Sequence, residues 1–158
     1  MHYPLTLHVN GDTYELSIDA SRSLVDVIRN ELGLTGAKEG CDDSECGACM
    51  VLLDGHTVNS CSMLALQANG RSITTVEGLA TGGSLHPLQR AIMETGGVQC
   101  GFCTPGMLIS AKALLDHNPH PTEEEIRWAL AGNLCRCTGY QKIVQAVQRA
   151  AGELAAAT

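Results

Sequence analysis

The chain has 158 residues, of which 44% are hydrophobic and 17% are charged, and its net charge is −7. Its ten Lys and Arg residues are scattered, which excludes nucleic acid as a partner because phosphate binding needs clustered basic side chains. No apolar run reaches the roughly 20 residues that cross a bilayer, so direct membrane insertion is excluded as well.

Residues 1–76 have the pattern of a small sheet packed on one helix. Residues 3–9 and 13–18 alternate apolar and polar side chains on either side of Asn10-Gly11, which predicts a β-hairpin. Residues 50–60 predict two more short strands, and residues 72–76 predict a fifth.

A single helix is predicted after the hairpin. Asp19 or Ser21 can cap this helix, and Gly33 can end it. Its predicted apolar face is made of Leu24, Val27, Ile28 and Leu32. A long loop rich in Gly, Asp and Cys follows over residues 36–49.

Residues 77–84 are Gly-rich and predict a linker, after which the apolar positions follow the helical period. Four helices are predicted in residues 85–158, the third with a capping box formed by Thr122 and Glu125. Their apolar faces are made of Leu85, Leu88 and Ile92; Met107, Leu108, Ala111, Leu114 and Leu115; Ile126 and Leu130; and Ile143, Val144, Val147, Ala151 and Leu154. The sequence thus predicts an α+β fold with domains at 1–76 and 85–158.

The chain contains eight cysteines, which indicate disulfides, structural zinc or iron–sulfur clusters. The segment MHYPLTLHVNG has no basic region followed by an apolar one, so we expect no signal peptide and a cytoplasmic protein. Disulfides are disfavoured in that compartment. The spacing of the cysteines must therefore separate zinc from iron–sulfur.

The first set of cysteines has the spacing C-x4-C-x2-C at Cys41, Cys46 and Cys49, and Cys61 follows after eleven residues. This spacing is typical of a plant-type [2Fe–2S] site. Nearby glycines would let backbone N–H groups approach the sulfurs of such a cluster. Zinc more often binds two C-x-x-C pairs on separate turns, and unliganded core thiols are the third alternative.

The second set pairs Cys100 and Cys103 with Cys135 and Cys137, and 31 residues separate the two pairs. A thioredoxin-like dithiol is one alternative for C-G-F-C, but that motif follows a buried strand, and the residues before Cys100 form no apolar strand. It would also leave the C-R-C pair without a role. A second cluster is favoured, with zinc as the main rival.

Together the two sets and their flanking residues resemble the small iron–sulfur subunit of the molybdenum hydroxylases, the superfamily of xanthine dehydrogenase, aldehyde oxidoreductase and carbon monoxide dehydrogenase. The likeness lies in TGAKEGCDDSECGACMVLLDG, VQCGFCTPGM and AGNLCRCTGYQKIV and spans residues 3–150. It implies a plant-ferredoxin-like β-grasp lobe followed by a four-helix bundle. Each lobe would hold one [2Fe–2S] cluster, with the eight cysteines as ligands.

The resemblance also implies partner subunits. A large subunit would bind molybdopterin, often as the cytosine dinucleotide, and would hydroxylate an aldehyde or an aromatic N-heterocycle. Electrons would pass first to the cluster of the second cysteine set, which lies nearer the pterin, and then to the cluster of the first set. FAD on a medium subunit, or haem in some relatives, would accept them next. A heterotrimer or a dimer of heterotrimers is expected.

Two residues receive specific roles from the resemblance. Gln99 matches the glutamine that hydrogen-bonds the pterin, and a side-chain amide can both donate to and accept from such a heterocycle. Cys137 matches the cluster ligand closest to the cofactor. Without the resemblance, Gln99 would be an ordinary loop residue.

Other residues have plainer interpretations. Asp42, Asp43 and Glu45 are expected to form a solvated loop surface, and His117 and His120 to lie in a surface loop where prolines prevent a shared ligand face. Trp128 is expected to anchor the bundle or a subunit interface. Two functions compete with the subunit hypothesis: a free-standing ferredoxin-like electron carrier and a zinc-stabilised interaction module.

Overall fold

The N-terminal lobe is built on a five-stranded mixed sheet in a computed structural model that describes residues 1–157. Its strands are β1 (His2–Val9), β2 (Asp12–Asp19), β3 (Met50–Leu53), β4 (His56–Asn59) and β5 (Ser72–Thr74). Their order is β2-β1-β5-β3-β4. Only β1 and β5 are parallel among these neighbours, and the other pairs are antiparallel.

The predicted hairpin is confirmed in its register. Val9 pairs with Asp12, so Asn10 and Gly11 form the two-residue turn, with φ of 54° and 93°. Positive φ at both positions is the requirement of a type I′ turn, which explains the Asn-Gly pair. The fifth strand is shorter than predicted. It ends at Thr74 because the Thr75 N–H donates to Asn10 Oδ1 at 2.9 Å instead of continuing the sheet.

The helix after β2 begins later than predicted and is irregular. Ser23, rather than Asp19 or Ser21, is its cap, because Ser23 Oγ accepts a hydrogen bond from the Asp26 N–H at 3.3 Å. The α-helical turn α1 (Leu24–Asp26) continues directly as a π-helical turn, Val27–Glu31. The predicted apolar face is confirmed for its first three side chains, which are fully buried, and Leu32 packs partly buried against them.

The C-terminal lobe contains four helices, as predicted. They are α2 (Pro87–Glu94), α3 (Thr104–His117), α4 (Glu123–Ala129) and α5 (Gln141–Ala156). The capping box of Thr122 and Glu125 is present at the start of α4. Leu85 does not belong to α2, which begins at Pro87 with His86 as its cap, and its side chain is 46% exposed.

Each lobe has its own apolar core. One cluster joins the sheet to α1, and the other joins the four C-terminal helices. Leu52 of β3 packs into the helical cluster, so the sheet also contacts the second lobe. Trp128 is 83% exposed, so of its two predicted placements the one inside the bundle is wrong, and the one at a subunit interface stays a prediction. Within residues 1–157, no helix has the length and apolarity needed to span a bilayer.

Candidate metal centres

The structure brings the four cysteines of the first set together around one loop. Three backbone N–H groups donate to thiol sulfurs: Cys46 N to Cys41 Sγ at 3.4 Å, Ala48 N to Cys46 Sγ at 3.5 Å, and Cys61 N to Cys49 Sγ at 3.4 Å. The loop turns inward through positive φ at three positions: Asp42, Ser44 and Gly47. Backbone amides directed at sulfur stabilise thiolate and an anionic metal–sulfur group.

The first set also leaves a space that glycine keeps open. A Cβ at Gly40 would lie 3.0 Å from Cys46 Sγ and 3.1 Å from Cε1 of Phe102. A [2Fe–2S] cluster needs four thiolate ligands, backbone N–H groups that point at sulfur, and space beside the ligands, here kept free by a glycine. The residues present therefore fit such a group.

Burial distinguishes the thiols within the first set. Cys49 and Cys61 are 1% and 6% exposed, whereas Cys41 and Cys46 lie at the margin of the loop. Burial raises the pKa of Cys49 to about 11. A metal must displace the proton from this thiol because thiolate is the ligand form, so metal binding here releases protons.

The second set is assembled from two helix boundaries. Cys103 is the N-cap residue of α3, and Cys135 and Cys137 lie between α4 and α5. Cys103 interacts with Cys135, and Cys100 with Cys137, so the two distant pairs face each other. Burial is the main cause that raises the pKa of Cys103 to about 12. The structure thus brings together the second predicted set as well.

Hydrogen bonds fix the turn that presents the C-R-C pair. The Cys135 N–H donates to the Tyr140 hydroxyl at 2.9 Å, and Cys135 Sγ lies 3.0 Å from Thr138 Oγ1. Tyr140 has a positive φ of 68° and is the N-cap residue of α5. The Thr-Gly-Tyr segment after the pair therefore holds its first thiol in place.

The second set is open to solvent and has an apolar rim. Cys100 and Cys137 are both exposed. Around them, Val98 is 37% exposed, Phe102 is 46% exposed and Leu134 is 57% exposed. Such a group of exposed apolar side chains beside two open thiols is typical of a surface that another protein covers.

Gln99 lies within this rim, next to Cys100, and is exposed. In the part of the chain that the structure describes, no hydrogen bond to its side-chain amide is formed. The amide is free to bind a group from outside the chain.

Within each set the thiols contact one another in pairs: Cys41 with Cys46, Cys49 with Cys61, Cys103 with Cys135, and Cys100 with Cys137. Over residues 1–157, no group of three or more His, Cys, Asp or Glu side chains converges closely enough to hold one metal ion. Asp42, Asp43 and Glu45 are exposed as predicted, but the Asp43 carboxylate contacts the Cys41 thiol. His120 is exposed in the loop after α3, whereas His117, predicted in that loop, is the exposed last residue of the helix.

The sequence did not predict the role of one residue of the site, Asn133. Asn133 is 2% exposed and joins the two ligand loops through its side chain. Its position two residues before Cys135 was the only signal in the sequence.

Comparison with known families accounts for both lobes. Residues 7–75 match the family described as a 2Fe-2S iron-sulfur cluster binding domain, and residues 75–148 match a [2Fe-2S] binding domain. The chain therefore has two [2Fe–2S]-binding domains. These contain the first and the second cysteine set, respectively.

Similar proteins are small subunits of oxidoreductase complexes. The nicotinate dehydrogenase small FeS subunit of Eubacterium barkeri is 51% identical over 92% of this chain and 93% of its own length. The nicotine 6-hydroxylase small subunit of Paenarthrobacter nicotinovorans is 52% identical, covering 95% of this chain and 90% of its own.

The fold is shared with solved structures. A chain of quinoline 2-oxidoreductase from Pseudomonas putida 86 matches with a TM-score of 0.94 and 42% identity, over 99% of this chain and 97% of that one. Aldehyde oxidoreductase from Desulfovibrio desulfuricans matches with a TM-score of 0.93 and 46% identity, but this chain corresponds to only 17% of it. The chain is an electron-transfer component of an oxidoreductase, and it belongs to the small [2Fe–2S] subunits of the molybdenum hydroxylases.

Proposed function

We propose that this chain passes electrons from a molybdopterin centre on a large subunit, through two [2Fe–2S] clusters, to FAD or haem on another subunit. The ligands of one cluster are Cys41, Cys46, Cys49 and Cys61, and those of the other are Cys100, Cys103, Cys135 and Cys137. The observation that carries the assignment is that each set of four thiols is gathered at one place in its own lobe.

Each bound cluster accepts and gives up one electron at a time. The chain's own residues determine where this happens. The N–H groups of Cys46, Ala48 and Cys61 stabilise negative charge on the sulfurs of the first set. Burial of Cys49 and Cys61 keeps water from that side of the site.

The open face of the second set is the docking surface for the large subunit. Its apolar rim supplies area to bury, and Gln99 supplies an amide that can donate to and accept from a pterin ring. Cys137 is exposed on the same face and would be the ligand nearest the pterin. Electrons therefore enter at the second set and leave from the first.

The substrate class is an aromatic N-heterocycle, with aldehydes as the alternative. Relatives are named for nicotinate, nicotine and caffeine, and the fold is shared with a quinoline oxidoreductase. Other relatives are named aldehyde oxidoreductases. The substrate pocket belongs to the large subunit, so assays of the whole complex on nicotinate, quinoline and an aromatic aldehyde distinguish the two classes.

Further expectations accompany this function. The complex is cytoplasmic and contains a molybdopterin cytosine dinucleotide subunit and a medium FAD subunit, as a heterotrimer or a dimer of heterotrimers. The lobes correspond to a plant-ferredoxin-like β-grasp domain at 1–76, a linker at 77–84 and a four-helix bundle at 85–158. The mixed sheet, the four C-terminal helices and the two separate cores support this division. Exposed Trp128 is expected to contact a partner subunit.

Metal and sulfide analysis of the purified full chain tests the proposal. We expect about four irons and four acid-labile sulfides, no zinc, and two distinguishable EPR signals after reduction. A colourless zinc protein would instead establish an interaction module. Two clusters in a chain that docks reversibly with several reductases, and never with a molybdenum subunit, would establish a free carrier.

A further inference from the structure

The two ligand loops meet at a buried junction between the lobes, which we call the inter-loop junction and define by Gly47, Gly106, Ser110 and Asn133. Asn133 Nδ2 donates to the Gly47 carbonyl at 3.0 Å, and Asn133 Oδ1 accepts from Ser110 Oγ at 2.6 Å. Gly47 lies in the first ligand loop, whereas Ser110 lies in α3, which begins beside Cys103. One amide therefore links the first ligand loop to a helix of the second lobe.

The junction is packed so closely that a side chain at either of two glycines would displace a neighbouring backbone carbonyl. A Cβ at Gly106 would lie 2.1 Å from the Gly47 carbonyl oxygen. A Cβ at Gly47 would lie 2.3 Å from the Gly132 carbonyl oxygen, and Gly47 has a φ of 70°. The backbones of the two lobes are thus in direct contact, with no side chain between them.

Both side-chain hydrogen bonds of Asn133 lie within the junction. Asn133 caps none of the four C-terminal helices. Its side chain is 2% exposed, and both ends of the amide are used across the junction. Burying an amide is favourable only when its donor and its acceptor are both satisfied, so the orientation of this side chain is fixed by its two partners.

A backbone hydrogen bond also joins the two ligand loops beside the junction. The Leu134 N–H donates to the Cys46 carbonyl at 2.9 Å. Leu134 directly precedes Cys135, so a single hydrogen bond joins the backbone of a first-set cysteine to that of a second-set neighbour. This bond lies one residue from the Asn133–Gly47 contact on both loops.

We infer that Asn133 is a positioning residue that sets the separation and the electronic coupling of the two clusters. It does so by holding the Cys46 loop against the Cys135 loop. This inference rests on the proposed function, because it requires that both thiol sets bind clusters. A rigid junction keeps the distance for electron transfer constant when partner subunits bind and leave.

Asn133→Asp tests the link with little change in shape. The carboxylate still accepts from Ser110, but it presents an oxygen where the Gly47 carbonyl requires a donor. Gly106→Ala tests the same contact between the loops by steric repulsion. The added methyl group would push the Gly47 carbonyl away, while alanine has a higher helix propensity than glycine in α3. The matched control is Asn10→Asp, which removes a similar long-range donor, to Thr75 Oγ1, at a site remote from the junction.

Two measurements on the full chain with both clusters bound test whether the junction holds the two ligand loops together. The first is the magnetic interaction between the clusters in the EPR spectrum of the fully reduced protein, which falls steeply with their separation. The second is hydrogen exchange at the Leu134 amide. In Asn133→Asp and in Gly106→Ala, we expect the interaction to weaken and this exchange to be about tenfold faster, the change that follows from losing roughly one hydrogen bond. Iron content stays at the wild-type value, and Asn10→Asp changes neither readout.

Unchanged interaction and exchange in Gly106→Ala and Asn133→Asp would overturn the inference. Loss of iron in Asn133→Asp with no change in Gly106→Ala would also overturn it, because Asn133 would then act in folding alone. These results differ from failure of the proposed function. That failure would appear in the wild-type chain, as fewer than two EPR signals.

Discussion

The two metal sites of this molecule differ in what holds them together. The first lies on one loop and one neighbouring segment, with three internal N–H···S hydrogen bonds and two thiols that are almost fully buried. The second joins two helix boundaries 31 residues apart and leaves Cys100 and Cys137 open to solvent. The first site is therefore enclosed largely by its own chain, whereas the second keeps two ligand thiols on an open surface that a partner can cover.

Replacing a buried and an exposed ligand should separate the two sites most clearly. Cys49→Ser and Cys137→Ser are each expected to halve the iron content. Only Cys49→Ser should also lower the Tm of the N-terminal lobe, by about 10 °C or more, because that thiol lies in the sheet core and metal binding there contributes to folding. Iron analysis and calorimetry check this, and equal Tm losses in the two variants would contradict the comparison.

Chelation should remove the clusters in a fixed order. In the isolated chain, we expect a chelator with mild oxidant to abolish the EPR signal of the second set first, because two of its thiols are exposed. In the complete complex, the same treatment should spare that signal, since the large subunit covers it. If the first-set signal were lost before the second-set signal, solvent exposure of the ligand thiols would not determine how fast a cluster is removed.

The apolar rim of the second set should contribute to docking. Leu134→Ser removes a side chain that is 57% exposed but leaves its backbone hydrogen bond intact. Affinity for the large subunit should fall roughly tenfold, which corresponds to burial of one leucine at an interface. Tyr3→Ser, which removes a 41% exposed side chain on β1, is the control and should bind normally. Calorimetric titration measures both, and equal affinities would place the interface elsewhere.

The smallest effect should come from pH, and it should affect the helical lobe alone. His86 Nδ1 accepts from the Leu88 N–H at 3.2 Å at the start of α2, and burial, aided by Lys112, lowers the pKa of this imidazole below 6.5. A proton therefore binds the unfolded chain more tightly than the folded one. The stabilisation is complete above pH 6.5 and is lost as the pH falls towards the folded-state pKa.

His86→Asn keeps a capping side chain but removes the titration. Thermal unfolding between pH 7.5 and about 5 should show a small loss of helical-lobe stability in the wild type, and a smaller loss in His86→Asn. The same pH dependence in both proteins would exclude His86 as its cause.

The sequence predicted the parts of the molecule that depend on local pattern. Asn10-Gly11, the Thr122–Glu125 capping box and the helical period of α5 are properties of neighbouring residues, and each is confirmed. The helix cap after β2 was misplaced because Asp19, Ser21 and Ser23 are equally suitable by chemistry. Tertiary contacts choose among them: Ser23 pairs with Leu64 in a β-bridge, and Asp19 accepts two hydrogen bonds from Ser21 instead.

The site was predictable as two sets of ligands but not as one connected structure. Spacing alone identified both groups of thiols. The junction between them could not be predicted because Asn133 lies 86 residues from Gly47 and 23 residues from Ser110, distances over which no local pattern acts. The exposure of Trp128 could not be predicted either, since a position inside the bundle and a position at a subunit interface both require an apolar side chain.

Rapid freeze-quench EPR of the complete complex, mixed with a substrate that it oxidises, tests the order of electron transfer most directly. The second-set signal should rise first and the first-set signal should follow. In Cys100→Ser, which lacks the second cluster, the first cluster should stay oxidised while direct chemical reduction with dithionite still reduces it. Reduction of the first cluster by substrate at the wild-type rate in Cys100→Ser would contradict the account, because electrons would then bypass the second set.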